Sequence, residues 1–320
     1  MNKRPLAVGL LLVAGSAGIF VLQHRKIRAE VSPRPLLYLV ADTEREAERI
    51  PLELTRVSDQ KENEIGDQMA REFGLVPARP TDEESNRFRA YLNTVGMRVA
   101  AQVRRKGIHY RFHYEPSNAF VNAEALPGGQ IIVGRGLMKL MESEDELAAV
   151  LGHEIAHVDQ RHAIERLQYE LKSRELGLEG FYQLGSLGVR LFQAGYTKEQ
   201  ELEADRVGLG YAVAAGYSPA GAVDLMQRFA KLDPENRKAP ASPVEEMAGV
   251  PIQALQEYFR SHPPAAERIA AFEAEIASNE WNRKTPKRPL ALRAIFQAEE
   301  AKELGQRKAE ETKSKTSDRK

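Results

Sequence analysis

Apolar residues recur at helical spacing over Ser58–Phe73 and again over Thr81–Lys106, where Phe88, Tyr91, Leu92, Val95, Val99 and Val103 share one face. Each run opens on a Ser or Thr that can cap it, so two amphipathic helices are expected. The period then shortens. Ile108 to Glu115 alternates Ile, Tyr, Phe and Tyr with His, Arg, His and Glu, which predicts a strand with one wet face. A Pro-Gly-Gly turn at 127–129 leads into a second predicted strand, Gln130 to Val133. Ser143 with Glu146 reads as a capping box opening a long helix to about Leu171, and further helices are expected at Lys198–Gly216, Pro219–Leu232 and Pro264–Ala277. Leu176–Ala194 is Gly- and Leu-rich with charges inside it, too short to span a bilayer and best read as a surface helix and loop, or else an interfacial or lid segment. Pro234–Pro251 reads as a loop, and no internal repeat is present. Together these elements predict an α+β fold, mostly helical, with a small sheet whose edge strand borders a cleft.

Outside this region the pattern changes character twice. Leu6 to Leu22 is 17 residues without a charge, preceded by Lys3 and Arg4, and fits an uncleaved membrane anchor better than a removed signal, because the small residues that could be cut lie inside the apolar run. Residues 1–30 are therefore assigned to an anchor or signal segment and 31–57, with three prolines between Glu30 and Arg56, to a tether. A folded domain takes residues 58–278. Beyond Asn282 the chain is basic and Pro-punctuated, then mixed in charge, so 279–320 is expected to be a tail, disordered or a solvated helix, with almost nothing to bury. An anchored chain places the bulk of the protein on the extracytoplasmic side, the periplasmic side of a bacterial inner membrane, with secretion to the periplasm as the alternative.

Composition narrows the chemistry. Forty-six basic residues balance 46 acidic ones over 320 residues, which removes the electrostatic footprint of a nucleic-acid binder. There is no cysteine, so thiolate catalysis, disulfides and cysteine-based metal sites are excluded. A mean hydropathy of −0.47 excludes a polytopic membrane protein. Any metal must rest on histidine and carboxylate.

Such a set exists in the predicted long helix. His153-Glu154-Ile155-Ala156-His157 puts two imidazoles four residues apart on one face, able to bind a single ion, with Glu154 turned about 100° from His153 toward water at that ion. A charged surface stripe is the alternative, but the motif is flanked by Leu147, Val150, Leu151, Ile155 and Val158, which place these polar groups inside the fold. Gln160 and Ala163 stand where a metzincin continuation needs Gly and His, and His162 lies too far round the helix to join the pair. The third ligand must come from elsewhere. Glu199–Asp205, reading EQELEAD, offers two carboxylate pairs at i, i+4, Glu201 with Asp205 and Glu199 with Glu203, and spacing does not choose between them. His109 and His113 share a strand face, but no acidic partner stands at ligand spacing, so they read as a solvated face.

HEIAH, ELEAD some forty residues later and SHPPAAERI, preceded by NAEALPGGQIIVGRGLM, resemble zinc metallopeptidase family 48 over roughly Ser58–Ser278, in the family's order. The layout is closest to its single-anchor BepA- and OMA-type members. The resemblance implies one zinc ion per chain on His153, His157 and Glu201, with Glu154 as general base and Asp205 behind a ligand histidine. It also implies catalytic roles for His262 and Arg268 facing the oxyanion, a second role for His262 as a plug that holds the enzyme latent, and protein or peptide substrates. A third reading of His262, as a loop residue capping the following helix, needs no chemistry. Glu124 stands where the family carries an aromatic residue. Gly128, Gly129, Gln130, Ile131, Ile132 and Val133 are expected to form the edge on which an extended substrate pairs. The function expected is a zinc metalloendopeptidase of unfolded or misfolded envelope proteins; the alternative is a chaperone-like binding factor with a plugged zinc site.

Overall fold

A computed structural model of the chain describes residues 56–75, 82–173, 196–232, 262–283 and 285–298. The expected anchor, the tether up to residue 55, Leu176–Ala194, Pro234–Pro251 and the tail from 299 lie outside the described residues. Among the described residues no helix is long and apolar enough to cross a membrane.

Two helices come first, as their periodicity requires. In α1 (Asp59–Glu72) the Ser58 hydroxyl accepts the N–H of Lys61. In α2 (Glu83–Ala100) the cap is Asp82 instead of Thr81, its carboxylate accepting from the N–H and hydroxyl of Ser85. This second helix also stops at Ala100, short of the expected Lys106. Phe88, Leu92, Val95 and Val99 form its fully buried stripe.

The sheet differs from expectation. Strand β1 (Arg111–Glu115) matches the alternating segment, but AEAL forms an additional strand, β2 (Ala123–Leu126), before β3 (Gln130–Gly134). Strand order is β1-β3-β2: β3 runs parallel to β1, Arg111 opposite Gln130, and antiparallel to β2, Leu126 opposite Gln130. The turn between β2 and β3 places Gly128 and Gly129 at φ 70° and 78°, a region open to glycine. Gln130–Val133 is thus the central strand, buried at every position, and the proposed edge of Gly128, Gly129, Gln130, Ile131, Ile132 and Val133 is corrected. An unbroken apolar run without alternation marks a strand covered on both faces and paired on both sides. Among the described residues the sheet edge on the cleft side belongs to β2.

A short helix α3 (Arg135–Lys139) precedes α4 (Glu144–Asp159). Ser143 caps α4, but Glu146 does not return the bond to Ser143. Its carboxylate accepts instead from the Glu142 N–H and from Arg228. The helix does not reach Leu171. Gln160 closes it, Arg161 turns left-handed at φ 71°, and α5 (His162–Ser173) starts in a new direction. A non-glycine residue in that region costs on the order of 1–3 kcal/mol. The Arg161 guanidinium, bonded to the Val57 carbonyl, offsets part of it.

The long helices α6 (Lys198–Ala214), α7 (Ala220–Leu232) and α8 (Ala265–Ser278) complete the layer over α4. Leu147, Leu151 and Ile155 of α4, Phe229 of α7 and Phe272 of α8 share one core with the α2 stripe and Ile131 and Val133 of β3. Burying each of these side chains contributes roughly 1.5–3 kcal/mol. Residues 285–298 belong to the same core, which corrects the expectation of a tail with almost nothing to bury: Leu290, Leu292 and Phe296 are buried, and the Glu144 N–H donates to the Arg288 carbonyl. Three apolar side chains scattered among Lys, Arg and Pro make no period, so the sequence pattern hid them.

Candidate metal centre

A close helix–helix contact sets up the site. Among the described elements α4 and α6 make the most extensive contact, and they meet at Gly152 and Gly208, backbone against backbone. A Cβ on Gly152 would lie 2.4 Å from the Gly208 carbonyl oxygen. This approach brings the residue after Gly152, His153, against the α6 face that carries Glu201 and Asp205.

Three side chains converge there. The Nε2 atoms of His153 and His157 are 3.1 Å apart, and the Glu201 carboxylate oxygens lie 3.6 Å from each. For a tetrahedral zinc with bonds of about 2.0–2.2 Å, neighbouring ligand atoms sit roughly 3.3–3.6 Å apart, so the residues fit such an ion. All three are buried, and Glu201 Oε2 has no hydrogen-bond partner among the described residues. A buried carboxylate oxygen left this way costs several kcal/mol unless a cation meets it. Of the two pairs that spacing left open, Glu201 and Asp205 face the histidines. Glu203 points toward His162, and Glu199 is not part of the group.

Behind the ligands, Asp205 Oδ1 lies 2.9 Å from His153 Nδ1, and Arg268 donates Nε to Asp205 Oδ2 at 2.8 Å and Nη2 to Oδ1 at 2.5 Å. Burial works against the charge on Asp205, but the guanidinium and His153 hold its carboxyl at about 2. Burial likewise pushes His153 down, and the carboxylates of Asp205 and Glu201 more than reverse this, holding it at about 10. The pocket around His153 therefore attracts positive charge, which a proton or a metal cation can supply, the metal displacing the proton. His157 is held well below its ordinary value by burial and by the neighbouring histidines, so it presents a neutral ring. Burial raises Glu154 to about 7.

Glu154 and His262 face each other over this cluster. Ligand atoms of His153, Glu154 and His262 all lie within 4.8 Å of one another, and His262 Nε2 is 3.9 Å from Glu201 Oε2. The capping reading of His262 is not what the structure shows: Pro264 is the N-cap of α8 and no side chain caps it. Arg268, expected at the oxyanion, spends Nε and Nη2 on Asp205 and so stands behind His153 while also lining the cleft. Ala123, Ala149, Val150, Leu209 and Phe272 give that cleft apolar walls. His162 stays outside the candidate ligand group, though not for the expected reason: it opens a separate helix after the turn at Arg161 and meets His157 at Nδ1 instead of at Nε2. His113 bonds Gln130 at 2.8 Å, and no metal group forms there among the described residues.

Sequence reasoning missed Tyr196. Its ring stacks on His157 at 3.8 Å between centroids, and its hydroxyl donates to the Ala125 carbonyl at 3.2 Å. No spacing signal marked it, because it stands outside any periodic run, just before the Thr197 cap of α6. Glu124, largely buried on β2, is raised to about 7 by burial, partly offset by Asn122. A carboxyl raised in the folded state stabilises below its unfolded value of 4.5 and loses that contribution as pH rises to about 7. Glu124→Gln is accordingly expected to raise stability by about 1–3 kcal/mol at pH 8 and little at pH 4, read as the difference in denaturant midpoint; equal shifts at both pH values would refute the assignment.

Comparison with known proteins agrees with this geometry. The family model described as peptidase family M48 matches residues 86–276, more than half of the chain. The chain is 30% identical over 158 residues to a β-barrel assembly-enhancing protease of Yersinia pestis, covering 44% of this chain and 32% of that protein. It is 28% identical to the metalloprotease LoiP of Escherichia coli K12, covering 66% and 79%, and 28% identical to the mitochondrial metalloendopeptidase OMA1 of Schizosaccharomyces pombe, covering 61% and 55%. The chain spans about a third of the length of the β-barrel assembly-enhancing proteases it matches. With the HExxH pair and the α6 carboxylate brought together inside the matched segment, the chain belongs to peptidase family M48.

Proposed function

We propose that the protein is a zinc-dependent metalloendopeptidase that cuts unfolded or misfolded segments of envelope proteins, working from a membrane-anchored, extracytoplasmic domain. The observation that carries the reading is the buried group of His153, His157 and Glu201 with Glu154 beside it in one cleft. His153, His157 and Glu201 would hold the ion, with Asp205 and Arg268 fixing the His153 ring. A bound zinc ion supplies Lewis acidity, acidifying water and polarising a carbonyl oxygen. Glu154 accepts the proton of the attacking water and returns it to the departing amine. Zinc sites with three protein ligands are catalytic in pattern, since the fourth position is kept for reaction. An envelope substrate accords with relatives named for β-barrel assembly.

Substrate would lie along β2. The Asn122 carbonyl accepts the Gly134 N–H, so pairing with β3 alternates from there and the backbone groups of Ala123 and Ala125 point away from the sheet. The bond from Tyr196 to the Ala125 carbonyl agrees with that direction. An added strand pairing there is recognised by its backbone, which favours unfolded chains over a fixed cleavage sequence.

The position of His262 over Glu154 and Glu201 favours a second reading, a binding factor whose metal is plugged and whose cleavage is rare. Both are tested on purified protein with casein. Metal analysis is expected to give one zinc per chain, and 1,10-phenanthroline to stop cleavage until zinc is restored; chelator-insensitive cleavage would overturn the assignment. His262→Ala lowers cleavage if the residue serves the reaction and increases it if it plugs the site.

A further inference from the structure

The two histidines of the centre are supported differently. His153 has a carboxylate at Nδ1. The Nε2 of His157 faces His153 and Glu201, so its Nδ1 is the outer atom, and among the described residues it meets neither a carboxylate nor a backbone carbonyl, the usual partners of a ligating histidine. It meets Nδ1 of His162 at 3.0 Å. His162 is fully buried, its ring 5.1 Å from that of His157 and 6.2 Å from Tyr196. On its other side, His162 Nε2 lies 3.4 Å from Glu203 Oε2, and the Glu203 side chain is 33% exposed.

With a metal ion on His157 Nε2, hydrogen placement at the His157–His162 contact follows. Two ring nitrogens 3.0 Å apart share one hydrogen. With the Nε2 lone pair of His157 turned to the metal centre, its hydrogen is on Nδ1 and donates to His162 Nδ1. His162 then carries its own hydrogen on Nε2, the atom 3.4 Å from the Glu203 carboxylate, a charge contact outside hydrogen-bond geometry. The sequence builds this arrangement deliberately in space: the left-handed turn at Arg161 swings His162 back under α4, and Glu203 sits between Glu201 and Asp205 on the other face of α6.

We propose that His162 and Glu203 form a positioning pair for His157. They fix its tautomer and polarise its Nδ1–H, as Asp205 and Arg268 do for His153, so that each ligating histidine is backed by charge, one directly and one through a second imidazole. The proposal rests on the reading of His153, His157 and Glu201 as the metal site.

The test measures zinc affinity by competition with a chromophoric chelator and records the visible absorption of the cobalt-substituted protein. His162→Leu, which keeps the buried volume, is expected to weaken zinc by about 10–100-fold and to shift the cobalt bands. Glu203→Gln, a partly exposed change that leaves the fold intact, is expected to weaken zinc several-fold. His162→Asn, whose amide oxygen can accept from His157 while its NH2 faces Glu203, should recover most of the affinity. If wild type binds zinc and both His162→Leu and Glu203→Gln bind it within twofold with unchanged cobalt bands, the proposal is overturned while the metal site stands. If His162→Leu does not fold, unchanged affinity in Glu203→Gln overturns it alone. Wild type that binds no zinc overturns both readings.

Discussion

Glu154→Gln is expected to lower casein turnover by about 10²–10⁴-fold, the usual worth of a positioned general base, without lowering the zinc content. The two halves of that result are separable because of where the side chain lies. Glu154 is buried in the cleft but is not one of the three side chains that converge on each other at 3.1 and 3.6 Å. The amide preserves shape and removes the proton acceptor. The carboxyl it replaces is one that burial already raises to about 7. Metal analysis and a rate measured on the same preparation decide the matter. Loss of zinc together with rate would mean that Glu154 holds the ion, and an unchanged rate would mean that the nucleophile is activated elsewhere.

Much of this centre is legible in the sequence because its chemistry is local. HEIAH sets two imidazoles and a carboxyl close together by helical geometry, and the capped, apolar-flanked run around it already says that the helix is buried. The third member of the group is not local. Glu201 and Glu203 look alike in EQELEAD, and only the rotation of α6 about its axis, set by the contact at Gly208, puts Glu201 toward the histidines and Glu203 toward His162. The family resemblance pointed to Glu201, the carboxylate that the fold sets beside His153 and His157, where periodicity left two pairs open.

The strand error has a similar cause. Ala-Glu-Ala-Leu has no β-branched or aromatic residue, so intrinsic preference argues against a strand. It becomes one because Gly128 and Gly129 permit the tight reversal that lays it against Gln130–Val133. The apolar run Ile131–Val133 then says that β3 is in the middle, and the outer strand beside the cleft is β2. The break at Arg161 was invisible for the same kind of reason: Gln160-Arg161-His162 carries no glycine or proline, and the turn is held by a contact with Val57, a hundred residues earlier in the chain.

Gly152→Ala is expected to cost stability and most of the metal affinity, whereas Gly210→Ala on the neighbouring helix should cost neither. Alanine in a helix interior is intrinsically favoured over glycine by about 1 kcal/mol, so both changes would stabilise if space allowed. At Gly210 it does: the nearest atom to an added methyl is on the Trp281 ring at 3.8 Å, an ordinary contact. At Gly152 the added carbon meets the Gly208 carbonyl oxygen at 2.4 Å and its carbon at 3.0 Å, and these are backbone atoms with no rotamer to escape into. The helices must separate. Overpacking of this kind costs about 1–3 kcal/mol, which outweighs the propensity gain and lowers the melting temperature by roughly 2–4 °C per kcal/mol for a domain of this size. Separation acts directly on the centre, because His153 follows Gly152 and Glu201 and Asp205 ride on the same helix as Gly208. A shift of about 1 Å is a large fraction of the 3.6 Å that separates the Glu201 carboxylate from each imidazole, so zinc affinity should fall by at least about 10-fold, as for a lost supporting contact. Titration of both variants with zinc, beside their melting curves, checks the pair. Equal affinity and stability in Gly152→Ala and wild type would show that the close approach of α4 and α6 does not set the geometry of the site.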